Sequence, residues 1–290
     1  MKIWLVGAGY WGSKVKSELD NIPGVDQVEV LDIKNGKSIQ DINTVDPVIL
    51  ATPLWNHYEQ TLELLKRGHD VYVEKPLAQT VYEIIDIKKH VNAATVLMVG
   101  HIFLYNPLLQ KLKEIIDTGK LGNINHVESR RLNWGIRQTK TTPLLSLAPH
   151  DVSIVDYLIG CKDVTHAKGI NLSNNAVPDM VEFGNNDYTI KVSWWWPKRE
   201  RCVIVVGDQG QAVWDEDDKE LRIYNGHMET KYPNNLTCTE KYAYTEPSVL
   251  RRELEHFVNC CINRSKPISD IENALRVASI LDQAEHLLSK

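Results

Sequence analysis

Close to the N-terminus, Gly7-Ala8-Gly9-Tyr10-Trp11-Gly12 sets three glycines in G-x-G-x-x-G spacing. Ile3-Trp4-Leu5-Val6 precedes it as a short apolar run, and residues 13–19 follow with Val15 and Leu19 one helical turn apart. Strand, glycine turn and helix in that order are the context in which this spacing binds a dinucleotide. Gly7 makes the tight turn, Gly9 lets backbone approach a pyrophosphate, and Gly12 lets helix pack on strand. The phosphates then meet the free N–H groups and positive end of the helix. A second apolar run, residues 28–31, ends in Asp32. That is about 20 residues after the last glycine, where a carboxylate grips a ribose diol. Asp32 favours NAD, because a carboxylate repels a 2′-phosphate. Lys34, two residues on, leaves NADP open. The competing reading of the turn is a glycine-rich helix start in some other α/β protein.

The alternation continues to about residue 120. Residues 48–51, 70–73 and 96–99 read as third, fourth and fifth strands, each followed by an amphipathic helix. That is the grammar of a doubly wound parallel sheet. Asn56 with Glu59, Thr80 with Glu83 and Ser269 with Glu272 have capping-box spacing. Asn106-Pro107 opens a further helix. After Gly122 the pattern changes: residues 126–130, 188–194 and 202–206 alternate as in a mainly antiparallel sheet. A helix from about His150 to Leu158 interrupts it. The expected organisation is a Rossmann domain over 1–120, an α+β substrate and oligomerisation domain over 121–268, and a C-terminal helix over 269–290 packing back on the first.

Composition narrows the partners. A net charge of −5 offers no electrostatic footprint for nucleic acid or an anionic membrane. No apolar run approaches the ~18–20 residues of a membrane span. An N-terminus that enters a strand at once reads as lacking a signal peptide. The 5 cysteines form no C-x-x-C pair, so reduced thiols in a cytoplasm are expected and no metal site is.

Several stretches together resemble the glucose–fructose oxidoreductase / inositol dehydrogenase / MocA (Gfo/Idh/MocA) superfamily. They are Ala51-Thr52-Pro53 with His57, Glu74-Lys75-Pro76-Leu77, Gly100-His101 leading to Tyr105-Asn106-Pro107, and Gly119-Lys120-Leu121-Gly122. Leu147-Ala148-Pro149-His150-Asp151, Trp196-Pro197-Lys198, Val206-Gly207-Asp208 and residues 253–257 resemble a narrower branch. That branch oxidises the 3-hydroxyl of UDP-N-acetyl-amino sugars. The resemblance implies a dehydrogenase that uses NAD(P), with a Lys-Pro bond that is often cis. Two departures from the pattern stand out: the chain is shorter than many members of the branch, and one position differs in its chemistry. Ser146 stands where the superfamily usually has an aspartate, four residues before the active-site histidine, and a serine carries no charge to raise a neighbour's basicity.

Oxidising a secondary alcohol with NAD+ needs a hydride acceptor and a base for the hydroxyl proton. The cofactor supplies the first. Lys75 and His150 are the candidates for the second. An exposed lysine near pKa ~10.4 is a poor base, but burial beside a positive nicotinamide pushes it toward neutrality. His150 has a reference pKa of ~6.5, suited to acid/base work. The expected cofactor contacts are Gly7, Gly9, Tyr10, Trp11, Gly12, Asp32, Ile33, Thr52, Pro53, His57, Glu74, Lys75 and Pro76. On the substrate side are His101, Asn106, Arg131, Asn133 and Asp151. Plainer readings stand beside these: Asn106 as an N-cap, Arg131 and Asn133 as solvated strand residues, Asp151 as an orienting or helix-start acid. Trp194-Trp195-Trp196 reads as a strand with one face in a core and the other toward a partner subunit. The superfamily's habit of pairing through the sheet's open face makes a homodimer or homotetramer the expected assembly.

The leading expectation is an oxidoreductase acting on a sugar or sugar nucleotide at a ring hydroxyl. Two alternatives stay open: a catalytically weak dinucleotide sensor or subunit, for which Ser146 speaks, and an inositol or simple-sugar dehydrogenase. A basic pocket around Arg130 and Arg131 would favour the sugar nucleotide over the last.

Overall fold

In a computed structural model of the chain, every residue is described except 33, 35, 136–140, 173–176, 226–236, 246 and 290. The chain divides into two compact units, Met1–Tyr105 with Pro247–Ala278, and Asn106–Glu246 with Ser279–Lys290.

The first unit is a five-stranded parallel sheet in the order β2-β1-β3-β4-β5. Its strands are β1 (Lys2–Val6), β2 (Gln27–Leu31), β3 (Val48–Leu50), β4 (Val71–Val73) and β5 (Leu97–Val99). β3, β4 and β5 are wholly buried apolar triplets, as strands covered on both faces must be. Helices α1 (Tyr10–Leu19), α2 (His57–Lys66) and α3 (Val81–Lys88) connect them. Thr80 and Glu83 cap α3 reciprocally as expected. Asn56 does not cap α2, because a 3-10 turn over Leu54–Asn56 leads into that helix and leaves Asn56 already helical.

In the second unit, Asn106 caps α4 (Pro107–Asp117) through its side-chain oxygen. The unit's eight-stranded sheet runs β13-β12-β11-β10-β6-β9-β8-β7. Its strands are β6 (Ile124–Trp134), β7 (His166–Ile170), β8 (Met180–Gly184), β9 (Tyr188–Ser193), β10 (Trp195–Gly207), β11 (Gly210–Asp215), β12 (Glu220–Asn225) and β13 (Thr237–Ala243). Among the described residues, only the β6–β9 pairing of this sheet is parallel. Helices α5 (Pro143–Ser146) and α6 (Ala148–Ile159) follow β6, and α6 packs on β6 and β9. Val127, Ser129 and Arg131 of β6 are buried beneath it. Glu128 and Arg130 alternate to the other face, where Lys191–Glu128–Arg130–Glu200 forms an ion-pair ladder.

The boundary at 121 and the assignment of 247–268 differ from the sequence reading. α7 (Val249–Asn263) belongs to the first unit, because its stripe of Leu250, Leu254, Phe257, Val258 and Cys261 is buried there. α8 (Ile271–Leu288) begins in the same unit, with Ile271 and Ala274 in the core cluster around Val6, Leu50, Val73 and Val99. From Ser279 onward it groups with the second unit. Asp270 rather than Ser269 caps α8, bonding Asn273 N–H at 2.9 Å, while Ser269 Oγ pairs with the Tyr105 hydroxyl at 2.7 Å.

Candidate cofactor and catalytic site

Parallel strands end at one edge, and the chemistry-bearing residues of the first unit gather there. Gly7 follows β1, Asp32 follows β2, and Thr52 comes two residues after β3. Glu74 and Lys75 follow β4, and Gly100 and His101 follow β5. This is the edge at which open α/β sheets bind ligands.

The glycine turn has the shape its spacing predicts. Gly7 has φ +95°, and a Cβ there would stand 2.6 Å from the Ala51 carbonyl oxygen. A Cβ at Gly12 would stand 2.0 Å from the Gly7 oxygen, so strand and helix meet at backbone distance. At Gly9 a Cβ would meet nothing within 4 Å. The glycines at 7 and 12 are required by the protein itself, whereas Gly9 faces open space at the N-terminus of α1. That is the fit a dinucleotide pyrophosphate needs.

Asp32 accepts from Ala8 N–H at 2.8 Å and from Lys34 N–H at 2.9 Å. The bonds from Lys34 and Ala8 hold its carboxyl below the usual range, so it is an anion beside the turn. Ile33 lies outside the described residues. Tyr10 is exposed, with the Lys14 ammonium 4.4 Å from its ring centroid. Pro53 is exposed, and the Thr52 hydroxyl donates to Gln60 Oε1 at 2.7 Å. His57 is buried between two loops, with Nδ1 2.8 Å from the Pro76 carbonyl and Nε2 2.8 Å from the Thr52 carbonyl. A neutral ring has one N–H and carbonyls only accept, so His57 donates to one loop and merely abuts the other. Burial pushes its pKa down against those carbonyls.

Lys75-Pro76 is a cis peptide. The Glu74 carboxylate accepts from the Trp11 indole and from the Tyr72 hydroxyl, the latter at 3.1 Å. His101 is buried, its Nδ1 has no hydrogen-bond partner among the described residues, and burial together with the charge of Lys75 pushes its pKa down to about 3. A neutral imidazole therefore stands close enough to Lys75 to feel its ammonium.

In the second unit, His150 lies in the first turn of α6 and is half-buried. Asp151 beside it is buried, accepting from Ser129 Oγ at 2.7 Å and from Arg131 Nε at 2.7 Å. Arg131 is 4% exposed and also reaches Glu216 at 3.4 Å. Burial opposes its charge, and Asp151 and Glu216 outweigh that. Of the two expectations for Arg131, the solvated strand residue is overturned by its burial: it and Asp151 form an internal ion pair joining α6 to β6. Asn133 Oδ1 accepts from Arg201 at 3.4 Å, and Asn106 spends its oxygen on Leu108 and Leu109 N–H. Ser146 Oγ donates to the Thr142 carbonyl at 2.9 Å. Trp194 is buried, while Trp195 is exposed and stacks on Trp134 with centroids 4.3 Å apart. Among the described residues no group of three His, Cys, Asp or Glu side chains is placed to hold a metal, and no helix is long and apolar enough to cross a membrane.

Residues 25–101 match the profile of an oxidoreductase family's NAD-binding Rossmann fold, and residues 113–285 match the same family's C-terminal alpha/beta domain. The chain belongs to the Gfo/Idh/MocA oxidoreductases. Among curated relatives, the 2,7-anhydro-N-acetylneuraminate hydratase of Mediterraneibacter gnavus is 24% identical over 286 residues, 77% of this chain and 75% of the relative. Among solved structures, UDP-N-acetylglucosamine 3-dehydrogenase GnnA from Acidithiobacillus ferrooxidans superposes with TM-score 0.83 at 18% identity, over 99% of this chain and 97% of that one. A levoglucosan dehydrogenase in complex with NADH and levoglucosan gives TM-score 0.82 at 15% identity, over 100% and 97%. Such likenesses establish the two-domain fold of the Gfo/Idh/MocA proteins.

Two residues beside Glu74 were given no role from the sequence, Tyr72 and Glu253, although 253–257 counted toward the resemblance. Tyr72 looks like one more core residue of β4. Glu253 had a signal: it interrupts the apolar stripe of α7 one turn after Leu250 and one before Phe257, and it is fully buried.

Proposed function

We propose that the protein is an NAD(H)-dependent oxidoreductase acting on a ring hydroxyl or ketone of a sugar or cyclic polyol. The observation that carries this reading is the row of strand ends. It sets an anionic Asp32 and the open Gly9 at one side, and Lys75 with a neutral His101 further along the same sheet edge. Gly7, Gly9, Gly12 and Asp32 would hold the dinucleotide, with the carboxylate favouring NAD. Bound nicotinamide supplies the hydride acceptor or donor. Beside a positive nicotinamide the Lys75 ammonium gives up its proton to solvent, and the neutral amine then takes the hydroxyl proton during oxidation and returns it during reduction. His101, held neutral, adds no charge beside it. His150 is the second group the family resemblance assigns to proton transfer.

A neutral ring fits better than a nucleotide sugar. Arg130 is engaged by Glu128 and Glu200, and Arg131 by Asp151 and Glu216. Neither arginine is left for a diphosphate.

The test is calorimetry with NADH and NADPH, followed by turnover assays with inositols, simple sugars and UDP-sugars, read at the reduced-nicotinamide absorbance. Binding of NADH and turnover of a neutral ring, abolished in Lys75→Ala with NADH binding retained, is the expected result. Turnover confined to UDP-sugars would overturn the choice of substrate. NADH binding with no turnover of any of them would overturn the enzyme reading in favour of a sensor.

A further inference from the structure

Two carboxyl groups, the half-buried Glu74 and the fully buried Glu253, flank the Tyr72 hydroxyl, and they are treated unequally. Glu74 accepts from the Trp11 indole, from the Tyr72 hydroxyl at 3.1 Å and from the Lys75 backbone N–H. Burial pushes its carboxyl up, and these bonds with the charge of Lys75 oppose that shift, whereas Glu253 has no such set of donors among the described residues. Glu253 is 0% exposed, and neither of its oxygens has a well-formed hydrogen bond among the described residues. The Tyr72 hydroxyl stands beside it, already committed as a donor to Glu74. A hydroxyl has one proton to give and two lone pairs to offer. Were Glu253 ionised, two carboxylates would compete for that proton inside the core, and an unpaired buried anion is strongly disfavoured.

We propose that Glu74 and Glu253 share one proton, lodged on Glu253, and that Glu253 is thereby a positioning residue for the cofactor edge. Its O–H faces the Tyr72 oxygen, Tyr72 donates to Glu74, and Glu74 remains the anion that fastens Trp11 of the glycine turn and the backbone of Lys75. Burial and the charge of Glu74 both push the Glu253 carboxyl well above its usual range, and burial with the charges of Glu253 and Glu74 does the same for Tyr72. The other groups facing Glu253 agree. Tyr105 is neutral, pushed up by burial and by Glu253. Arg252, next to Glu253 on α7, points its Nε at the Tyr105 carbonyl at 3.3 Å rather than at the pair. Gly100 completes the enclosure, since a Cβ there would stand 2.7 Å from the Tyr72 hydroxyl and 3.1 Å from Glu74 Oε2.

The proposal rests on the NAD-binding character of the first unit and not on any particular substrate, so its tests need no turnover. Infrared spectra of the protein without cofactor at neutral pH should contain a carboxylic-acid C=O band that survives in Glu74→Gln and vanishes in Glu253→Gln. Between pH 6 and 8 the wild-type folding constant should fall about tenfold per pH unit more steeply than that of Glu253→Gln, because one proton is taken up on folding. NADH affinity should fall about tenfold in Glu74→Gln, which removes the anion. No acid band in the wild type would overturn the proposal, even if both variants fail to fold. A band lost in Glu74→Gln but kept in Glu253→Gln would place the proton on the wrong residue, and parallel pH profiles would deny it altogether.

Discussion

Trp11 donates its indole N–H to the carboxylate of Glu74, so a single bond fastens the glycine turn after β1 to the residue before Lys75. The bond is charge-assisted and crosses from one strand end to another, and bonds to ionised groups contribute about 1.5–3 kcal/mol. In Trp11→Phe the ring stays and the donor goes. We expect a loss of that order in stability by urea titration. NADH affinity should also fall by about tenfold, because the loosened turn must be ordered again on binding. Unchanged affinity and stability together would show the bond to be incidental.

Gly9 and Gly12 should fail in different ways when each is replaced by Ala. At Gly12 the new Cβ would lie 2.0 Å from the Gly7 oxygen. Overpacking of backbone on backbone costs on the order of 3 kcal/mol, so the melting temperature should drop sharply. Gly9 has φ −68° and ψ −168°, ordinary for alanine, with nothing within 4 Å of the added carbon. Gly9→Ala should fold within about 0.5 kcal/mol of wild type. It should nevertheless lose NADH affinity by about two orders of magnitude, because the methyl occupies the approach of the pyrophosphate. A Gly9→Ala protein that binds NADH normally would place the dinucleotide elsewhere.

The glycine turn could be read from the sequence because most of its determinants are local. Strand, turn, helix and acid follow one another within Lys2–Leu31 and Asp32, and Gly12 answers to Gly7 five residues before it, although Gly7 itself is held by the Ala51 carbonyl of β3's end. The capping box at Thr80 was legible for the same reason. What sequence could not supply were side-chain destinations set by distant segments. Arg131 alternates on β6 exactly as a substrate-facing residue would, and only the packing of α6 turns it into the buried partner of Asp151. Ser269 has the right spacing for a cap, yet its hydroxyl is drawn to Tyr105, 164 residues away, and Asp270 takes the role. The grouping of α7 was out of reach likewise, because its buried stripe finds its core in a unit the chain had left at Tyr105.

Arg131 and Asp151 should behave as structure rather than as ligands. Both side chains are at most 5% exposed and lie 2.7 Å apart. Removing one member of a buried pair strands the other charge, at about 3–5 kcal/mol. Arg131→Met should therefore destabilise by that amount in chemical denaturation, and Arg131→Met with Asp151→Leu should recover most of the loss. If the double variant is no better than the single, the pair is not what holds α6 to β6. NADH affinity, a property of the other unit, should be the same in all of them.

His101 should make the first unit sensitive to acid. Burial, and then the charge of Lys75, take its pKa from 6.5 to about 3, so the unfolded chain binds this proton more tightly than the folded one. The stability contributed by neutral His101 is complete above pH 6.5 and is lost as the pH falls from 6.5 toward about 3. The slope is about 1.4 kcal/mol per pH unit inside that window. His101→Gln cannot titrate and should show a flatter fall over the same range. Lys75→Met removes the second cause, which should raise the His101 pKa and narrow the window from its acid end. Imidazole proton shifts followed by NMR from pH 8 to pH 4 read this directly: the His101 resonance should stay neutral throughout in the wild type. A His101 signal that titrates near 6.5 would mean that the ring is hydrated and that Lys75 does not act on it.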